Sequence, residues 1–189
     1  MGEIAERYRR RAEAFERKVA AVEPDQWEDQ SPCARWTARD VVEHVVMMHG
    51  VMLQPVARKL EPADDPLTAF QEARAAVEEV LDDPILALTE TDTPTGPLTT
   101  ERHIDQVVSD DLVLHGWDLA RATDQDETME PADVERLWAA AVKIPPDLME
   151  KFRTPDAFGE GIEVYGPEVH VPADAPLQDR LLGLIGREP

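Results

Sequence analysis

The stretch ERHIDQVVSDDLVLHGWDLARAT, residues 101–123, combines a strong helical pattern with ionisable side chains on its apolar face. An α-helix turns by about 100° per residue, which places His115 about 40° and Asp118 about 20° away from Asp111. The same face carries the apolar residues Ile104, Val107, Val108, Leu112, Leu114 and Leu119. The polar side carries Asp105, Gln106, Ser109, Asp110 and Gly116. The pattern predicts one helix that turns two carboxylates and an imidazole toward the core.

Burying these ionisable groups without partners is unfavourable, because an unpaired carboxylate loses its hydration or must take up a proton. Three arrangements would relieve this cost: pairing with buried arginines, a wet cleft, or a bound cation. Side chains four residues apart on a helix lie on one face, so Asp111 and His115 can reach the same ion. The spacing therefore favours the cation.

A second predicted helix has the same anomaly. Thr37 can cap its first turn, Asp40 completes a capping box, and Pro55 is expected to bend the helix before it ends near Leu60. His44 lies on its apolar face, among Val41, Met47, Met48, Val51 and Met52. A lone histidine in such a position is usually a core residue. Together with the Asp-x-x-x-His pair, however, it completes a three-ligand set, which is typical of catalytic zinc sites that keep one position open.

Other helices are predicted from about Gly2 to Val22, after Pro66, after Pro131 and from Pro176 to Leu184. Residues 83–100 are expected to form an extended connection with a brief strand, and GIEVYGPEVHVP, residues 161–172, alternates like a strand. We therefore expect an all-α protein, a four-helix bundle with an additional C-terminal helix and a short strand-like tail. The bundle, which holds the metal, is expected to span residues 1–157, with a C-terminal extension, 158–189, packed on it.

The composition narrows the function classes. The 189 residues include 40 acidic and 19 basic side chains, a formal net charge of -21, which disfavours nucleic acid and anionic membranes as partners. Cys33 is the single cysteine, so no internal disulfide forms. The first residues lack the apolar run of a signal peptide, and no stretch is apolar enough to span a bilayer. A cytoplasmic protein is expected.

Three segments also resemble a known family. WEDQSPCARWTARDVVEHVV and DDLVLHGWDLARAT are similar to the two signatures of the mycothiol-dependent maleylpyruvate isomerase N-terminal domain, within the DinB-like superfamily. PLQDRLLGLIGREP resembles the tail of an uncharacterised metal-binding subgroup. The resemblance implies a DinB-type four-helix bundle with His44, Asp111 and His115 as metal ligands. It also implies mycothiol as a thiol cofactor and an electrophilic substrate for isomerisation or S-transfer.

Two departures qualify the resemblance. The isomerase has glutamate where this sequence has Asp111, which leaves Asp118 or a water to complete the metal shell. The isomerase also carries a further C-terminal domain, whereas only a short stretch follows Phe158 here, so substrate residues of that domain cannot be transferred. Zinc is the expected metal, although the ligand types also suit nickel and iron. A non-catalytic metal-binding module and a metal-assisted hydrolase stay open as alternatives, and a homodimer is compatible with the sequence.

The remaining candidate residues have structural interpretations beside functional ones. Asp118 is interpreted either as a hydrogen-bond partner of a ligating histidine or as an ion-pair partner of Arg121 or Arg35. Cys33 is interpreted as a small apolar filler in a loop rather than as a ligand or redox group. His49 lies about 140° from His44, at the edge of the apolar stripe, and is interpreted as structural. His103 and His170 lack partners at the spacing of metal ligands.

Overall fold

The computed structural model describes residues 2–93, 96–157 and 164–189 and is mostly helical. The chain divides into two compact units, Met1–Glu127 and Thr128–Pro189. The boundary expected near residue 157 lies inside the second unit, and residues 158–163 fall outside the described residues. The division into a bundle and a packed extension therefore stays a prediction.

The helices and strands follow the chain in this order. The first unit contains α1 (Glu3–Ala20), α2 (Ala38–Leu53), α3 (Pro66–Asp82), α4 (Pro84–Ala87), β1 (Glu90–Thr93), β2 (Gly96–Thr99), α5 (Thr100–Gln106) and α6 (Val108–Ala122). The second unit contains α7 (Pro131–Ala141), α8 (Pro146–Phe152) and α9 (Leu177–Leu184). Within the described ranges, none of the helices combines the length and apolar character that a bilayer crossing requires.

The core of the first unit lies between its long helices. Helix α1 packs against α3 and α6, and α2 packs against the same two helices. The rings of Phe15 and Phe70 meet with their centroids 4.8 Å apart. Buried apolar residues of all four helices form one cluster, which includes Tyr8, Phe15, Val41, Val45, Phe70, Val77, Leu112 and Leu119. The apolar faces expected from the helical periodicity are confirmed for these residues, whereas Met47 and Val51 of the predicted α2 face are exposed.

Helix α2 begins as predicted and ends earlier than predicted. Thr37 accepts a hydrogen bond from the Asp40 amide, and the Asp40 carboxylate accepts one from the Thr37 amide, which confirms the capping box. The helix stops at Leu53 and continues only as a 3-10 turn, Gln54–Val56. Pro55 has no amide hydrogen to donate, and Ala57 has a left-handed φ of 57°, so an end near Leu60 was wrong.

The predicted helix over residues 101–123 is interrupted. Val107 has φ -110° and ψ -78°, and it separates α5 from α6. Two residues expected on the polar side are buried against α1: Asp105 accepts two hydrogen bonds of 2.9 Å from Arg7, and Ser109 accepts from Arg11. Placing them on a solvated face was wrong, because arginines of α1 supply buried partners there.

The connection over residues 83–100 contains the expected strand and an additional helical turn. Strands β1 and β2 pair antiparallel, with Glu90 opposite Thr99, and residues 94–95 fall outside the described residues. The turn α4 was missed. Its signal was present, because Asp83 caps the amides of Ile85 and Leu86 and Pro84 occupies the first helical position.

In the second unit, α7 packs against α9, where the Arg180 guanidinium lies 4.7 Å from the ring centroid of Trp138. The expected strand-like tail is absent over residues 164–172, and residues 161–163 lie outside the described residues. The amides of Gly166 and Val169 donate to the carbonyls of Ile185 and Gly183. The tail therefore pairs with the end of α9 instead of with another strand.

His49 is a buried structural residue, as its position on α2 suggested. Its Nδ1 lies 2.7 Å from the Val45 carbonyl, which can only accept, so the proton sits on Nδ1. The Nε2 atom then accepts from the Tyr8 hydroxyl at 2.9 Å. Burial lowers the pKa of His49 to about 4, against smaller opposing effects of the Val45 carbonyl and the Asp111 charge.

This depressed pKa predicts an acid-sensitive step in stability. Between pH 6.5 and about 4, His49 is protonated in the unfolded chain but neutral in the folded protein. The free energy of unfolding therefore falls as the pH falls. The loss amounts to about 3 kcal/mol when complete. Urea unfolding across this range should show a weaker pH dependence for His49→Gln than for the wild type. His170→Gln, which removes an exposed imidazole, is the control, and equal slopes in all three proteins would contradict the prediction.

Candidate metal centre

The three predicted ligands lie together where α2 meets α6. His44 Nε2 is 3.6 Å from Asp111 Oδ2, and His115 Nε2 is 4.0 Å from Asp111 Oδ1. One ligand atom from each residue lies within 4.8 Å of the others. Asp111 and His115 share a face because they are one helical turn apart, and the direct packing of α2 on α6 brings His44 to them.

The group is open on one side. The side chains of His44 and Asp111 are 21% and 25% exposed, whereas that of His115 is 9% exposed. A small molecule can therefore reach His44 and Asp111 from solvent, while His115 forms the inner wall.

The donor set fits a divalent cation. Two imidazoles and one carboxylate are ligand types that zinc accepts. Two ligands at about 2.1 Å from a tetrahedral zinc lie about 3.4 Å from each other. The His44–Asp111 separation of 3.6 Å is close to that value, and the His115–Asp111 separation of 4.0 Å needs a small adjustment. Ligation by these residues stays a prediction.

Asp118 holds the inner imidazole. Its carboxylate is fully buried, and Oδ2 lies 2.9 Å from Nδ1 of His115. Because a carboxylate accepts, Nδ1 carries a proton and Nε2 is the nitrogen that faces Asp111. The structure shows the hydrogen bond of Asp118 to the histidine, and the ion pair with Arg121 or Arg35 stays a prediction beside it. Such a carboxylate fixes the tautomer and orientation of a ligating histidine.

The electrostatics of His115 follow from these contacts. Burial of the ring opposes its protonation, but the hydrogen bond to Asp118, the contact with Cys33 and the charge of Asp111 outweigh burial and raise the pKa to about 10. In the metal-free protein the imidazole is therefore protonated at neutral pH. A cation must displace the proton on Nε2, so metal binding is coupled to proton release.

A loop before α2 also contributes to the site. The Trp36 ring centroid lies 4.6 Å from that of His44 and 5.6 Å from that of His115. The Sγ atom of Cys33 lies 3.6 Å from Oδ2 of Asp118. Cys33, His115 and Asp118 form a second group of close ligand atoms. The interpretation of Cys33 as a loop filler missed this contact, because no helical spacing relates residue 33 to residue 118.

Neither His49, His103 nor His170 joins a group of metal-ligand type in the part of the chain that the structure describes. His49 is engaged in the core, His103 is half-buried, and His170 is exposed in the second unit.

The fold and the site define a class of protein that is mainly helical and has a His–Asp–His group between two helices. The sequence pattern of the mycothiol maleylpyruvate isomerase N-terminal domain matches residues 8–120. The chain belongs to this family, which confirms the resemblance seen in the sequence. The match covers α1 to α6, including all three candidate ligands.

Two curated relatives are similar to almost the whole chain. They are the uncharacterized proteins MT0763 and Rv0738 of Mycobacterium tuberculosis, strains CDC 1551 / Oshkosh and ATCC 25618 / H37Rv. Each is 30% identical over 184 residues, which is 95% of this chain and 95% of the relative. The similarity therefore extends into the second unit. No solved structure matches the chain.

The dependence of His115 on Asp118 can be measured without metal. Asp118→Asn removes the negative charge, so burial should prevail and the pKa of His115 should fall from about 10 to its ordinary value or below. NMR titration of the imidazole Cε1–H in metal-free protein measures this shift. Asp174→Asn, at an exposed position of the second unit, should leave the titration unchanged. An unaltered pKa in Asp118→Asn would show that the buried carboxylate does not control the ring.

Proposed function

We propose that this protein is a metal-dependent enzyme that uses a low-molecular-weight thiol of the mycothiol type for isomerisation or S-transfer. The observation that carries the proposal is the convergence of His44, Asp111 and His115, with ligand atoms within 4.8 Å of one another. Family membership supports the thiol, because the family is the mycothiol maleylpyruvate isomerase N-terminal domain.

The helix packing supports a DinB-type bundle as the frame of the site. Each of α1 and α2 packs against both α3 and α6, so the four long helices of the first unit enclose one core. The candidate ligands come from α2 and α6, two helices in direct contact. We propose that this four-helix arrangement is the DinB-like bundle implied by the sequence.

We propose zinc as the resident metal, with nickel and iron as the alternatives that the same ligands allow. When bound, zinc would lower the pKa of a thiol and make its thiolate available at neutral pH. The protein's own residues hold the metal, orient His115 through Asp118 and leave His44 and Asp111 accessible. Asp111 is shorter than the glutamate of the isomerase, yet its two oxygens face both imidazoles.

The surroundings of His44 suit an organic electrophile. Met47 and Val51 lie on the same side of α2, one and two turns beyond His44, and are 54% and 38% exposed. They offer an apolar surface next to the accessible ligands. We expect the carbon skeleton of the substrate to contact this surface, while its electrophilic carbon meets the thiol.

The hydrolase alternative is less well supported. It needs a general base beside the metal, and Asp118 was the candidate for that role. Asp118 is fully buried and accepts from Nδ1, the nitrogen of His115 on the side away from Asp111. A non-catalytic metal-binding module has the same ligand geometry and differs only in having no turnover, so it is distinguished by the second test below.

Metal binding is the first test. Purified wild-type protein should contain or take up one zinc per chain, and His44→Ala, Asp111→Ala or His115→Ala should each weaken binding by more than about 100-fold. An outer hydrogen-bond partner already contributes about 10–100-fold, and a ligand contributes more. Elemental analysis and competition with a chromophoric chelator measure both quantities. His170→Ala should bind as the wild type does, and stoichiometric binding that survives all three ligand variants would contradict the assignment.

Thiol activation is the second test. Metal-loaded wild type should bind mycothiol by calorimetry and accelerate its conjugation to a model electrophile, whereas metal-free protein and His44→Ala should do neither. The catalysed rate should rise at a lower pH than the rate with free thiol does. The reason is that a thiol with a depressed pKa forms its thiolate at lower pH. Metal-loaded protein that neither binds nor activates thiol would leave the non-catalytic module as the function.

A further inference from the structure

The loop between α1 and α2 meets the candidate metal centre through two side chains. Trp36 packs on the rings of His44 and His115, and Cys33 reaches the carboxylate of Asp118. Trp36 packs on both imidazoles, whereas Cys33 contacts His115 and the Asp118 carboxylate behind it. The two contacts therefore constrain the site at different points.

The loop is held in one shape by its own hydrogen bonds. The Trp36 amide donates to the Cys33 carbonyl at 2.9 Å, and the Ser31 amide donates to the Trp36 carbonyl at 2.9 Å. The side-chain amide of Gln30 donates to the carbonyls of Ser31, Cys33 and Trp36. The Cys33 amide donates to the Ser31 hydroxyl at 3.2 Å. Because the backbone of this segment is fixed at so many points, the Cys33 thiol has little freedom to change its position.

The thiol and the imidazole meet at the same carboxylate oxygen. Oδ2 of Asp118 accepts from Nδ1 of His115 at 2.9 Å and from Sγ of Cys33 at 3.6 Å. Asp118 is 0% exposed, so solvent does not replace either donor. A buried carboxylate with two donors on one oxygen is held against rotation about its own bond. Loss of the thiol donor would leave the imidazole as the remaining one of these two donors on Oδ2 and would loosen the carboxylate against the ring.

We propose that Cys33 is a positioning residue of the metal centre: its thiol holds the Asp118 carboxylate against Nδ1 of His115 and so fixes the direction of Nε2. The inference rests on the proposed function, because it gives Nε2 of His115 a metal to bind. In this arrangement Cys33 acts through Asp118 and is not itself a ligand.

The test compares Cys33→Ala with Cys33→Ser in the full chain. Alanine removes the donor, and we expect about 10-fold weaker zinc binding, the lower end of the effect of an outer hydrogen-bond partner. Serine keeps an O–H donor on a shorter bond to Cβ, so its zinc affinity should lie between those of Cys33→Ala and the wild type. In metal-free protein, the Nδ1–H resonance of His115 should shift in Cys33→Ala and return toward the wild-type position in Cys33→Ser. Thermal unfolding of both variants reports any general loss of stability.

The outcomes separate this inference from the proposed function. If the wild type binds no zinc, both the proposed function and the inference are wrong. Wild type that binds zinc, with Cys33→Ala binding equally well or more tightly, overturns the inference alone. A sulfur-to-metal charge-transfer band in the cobalt-substituted wild type, absent from Cys33→Ser, would make Cys33 a ligand and overturn the positioning role.

Discussion

The hydrogen bond between Asp118 and His115 is the interaction on which the candidate site depends. A fully buried carboxylate is unfavourable unless it is paired, and His115 supplies a donor at 2.9 Å. The same bond determines which ring nitrogen faces Asp111. If Asp118 lacked this partner, the buried charge would destabilise the fold; if His115 lacked Asp118, its ring would lose the constraint on its orientation. Stability and site geometry therefore rest on one contact.

The packing of α2 on α6 turns that local constraint into a three-residue group. Helix α6 brings His115 and Asp118 together, because they lie three residues apart on one helix. His44 comes from α2, whose start is fixed by the Thr37–Asp40 capping box directly after Trp36. The loop that contacts both imidazoles therefore continues without a break into the helix that supplies one of them. A displacement of this loop would therefore change both the packing of Trp36 on the imidazoles and the start of α2.

Helical periodicity predicted much of this arrangement, and the failures have identifiable causes. The face shared by Asp111, His115 and Asp118 could be derived from residue spacing, and the capping box was visible in the sequence. The break at Val107 has no counterpart in the spacing pattern. The burial of Asp105 could not be derived in this way, since its partner Arg7 lies 98 residues away in the chain. The contact of Cys33 with Asp118 is equally non-local. Periodicity describes one helix at a time, and tertiary partners decide which polar side chains are buried.

The family pattern and the similarity to the two relatives cover different lengths of the chain. The family pattern ends at residue 120, before the first unit ends at Glu127, so it covers the candidate ligands and none of the second unit. The similarity to the two mycobacterial proteins covers 95% of the chain and so continues beyond that point. The ligands, Asp118 and the loop with Cys33 and Trp36 all belong to the first unit. Among the described residues, the candidate ligand group therefore draws on the first unit alone, while the similarity to the relatives shows that the second unit also belongs to the shared chain.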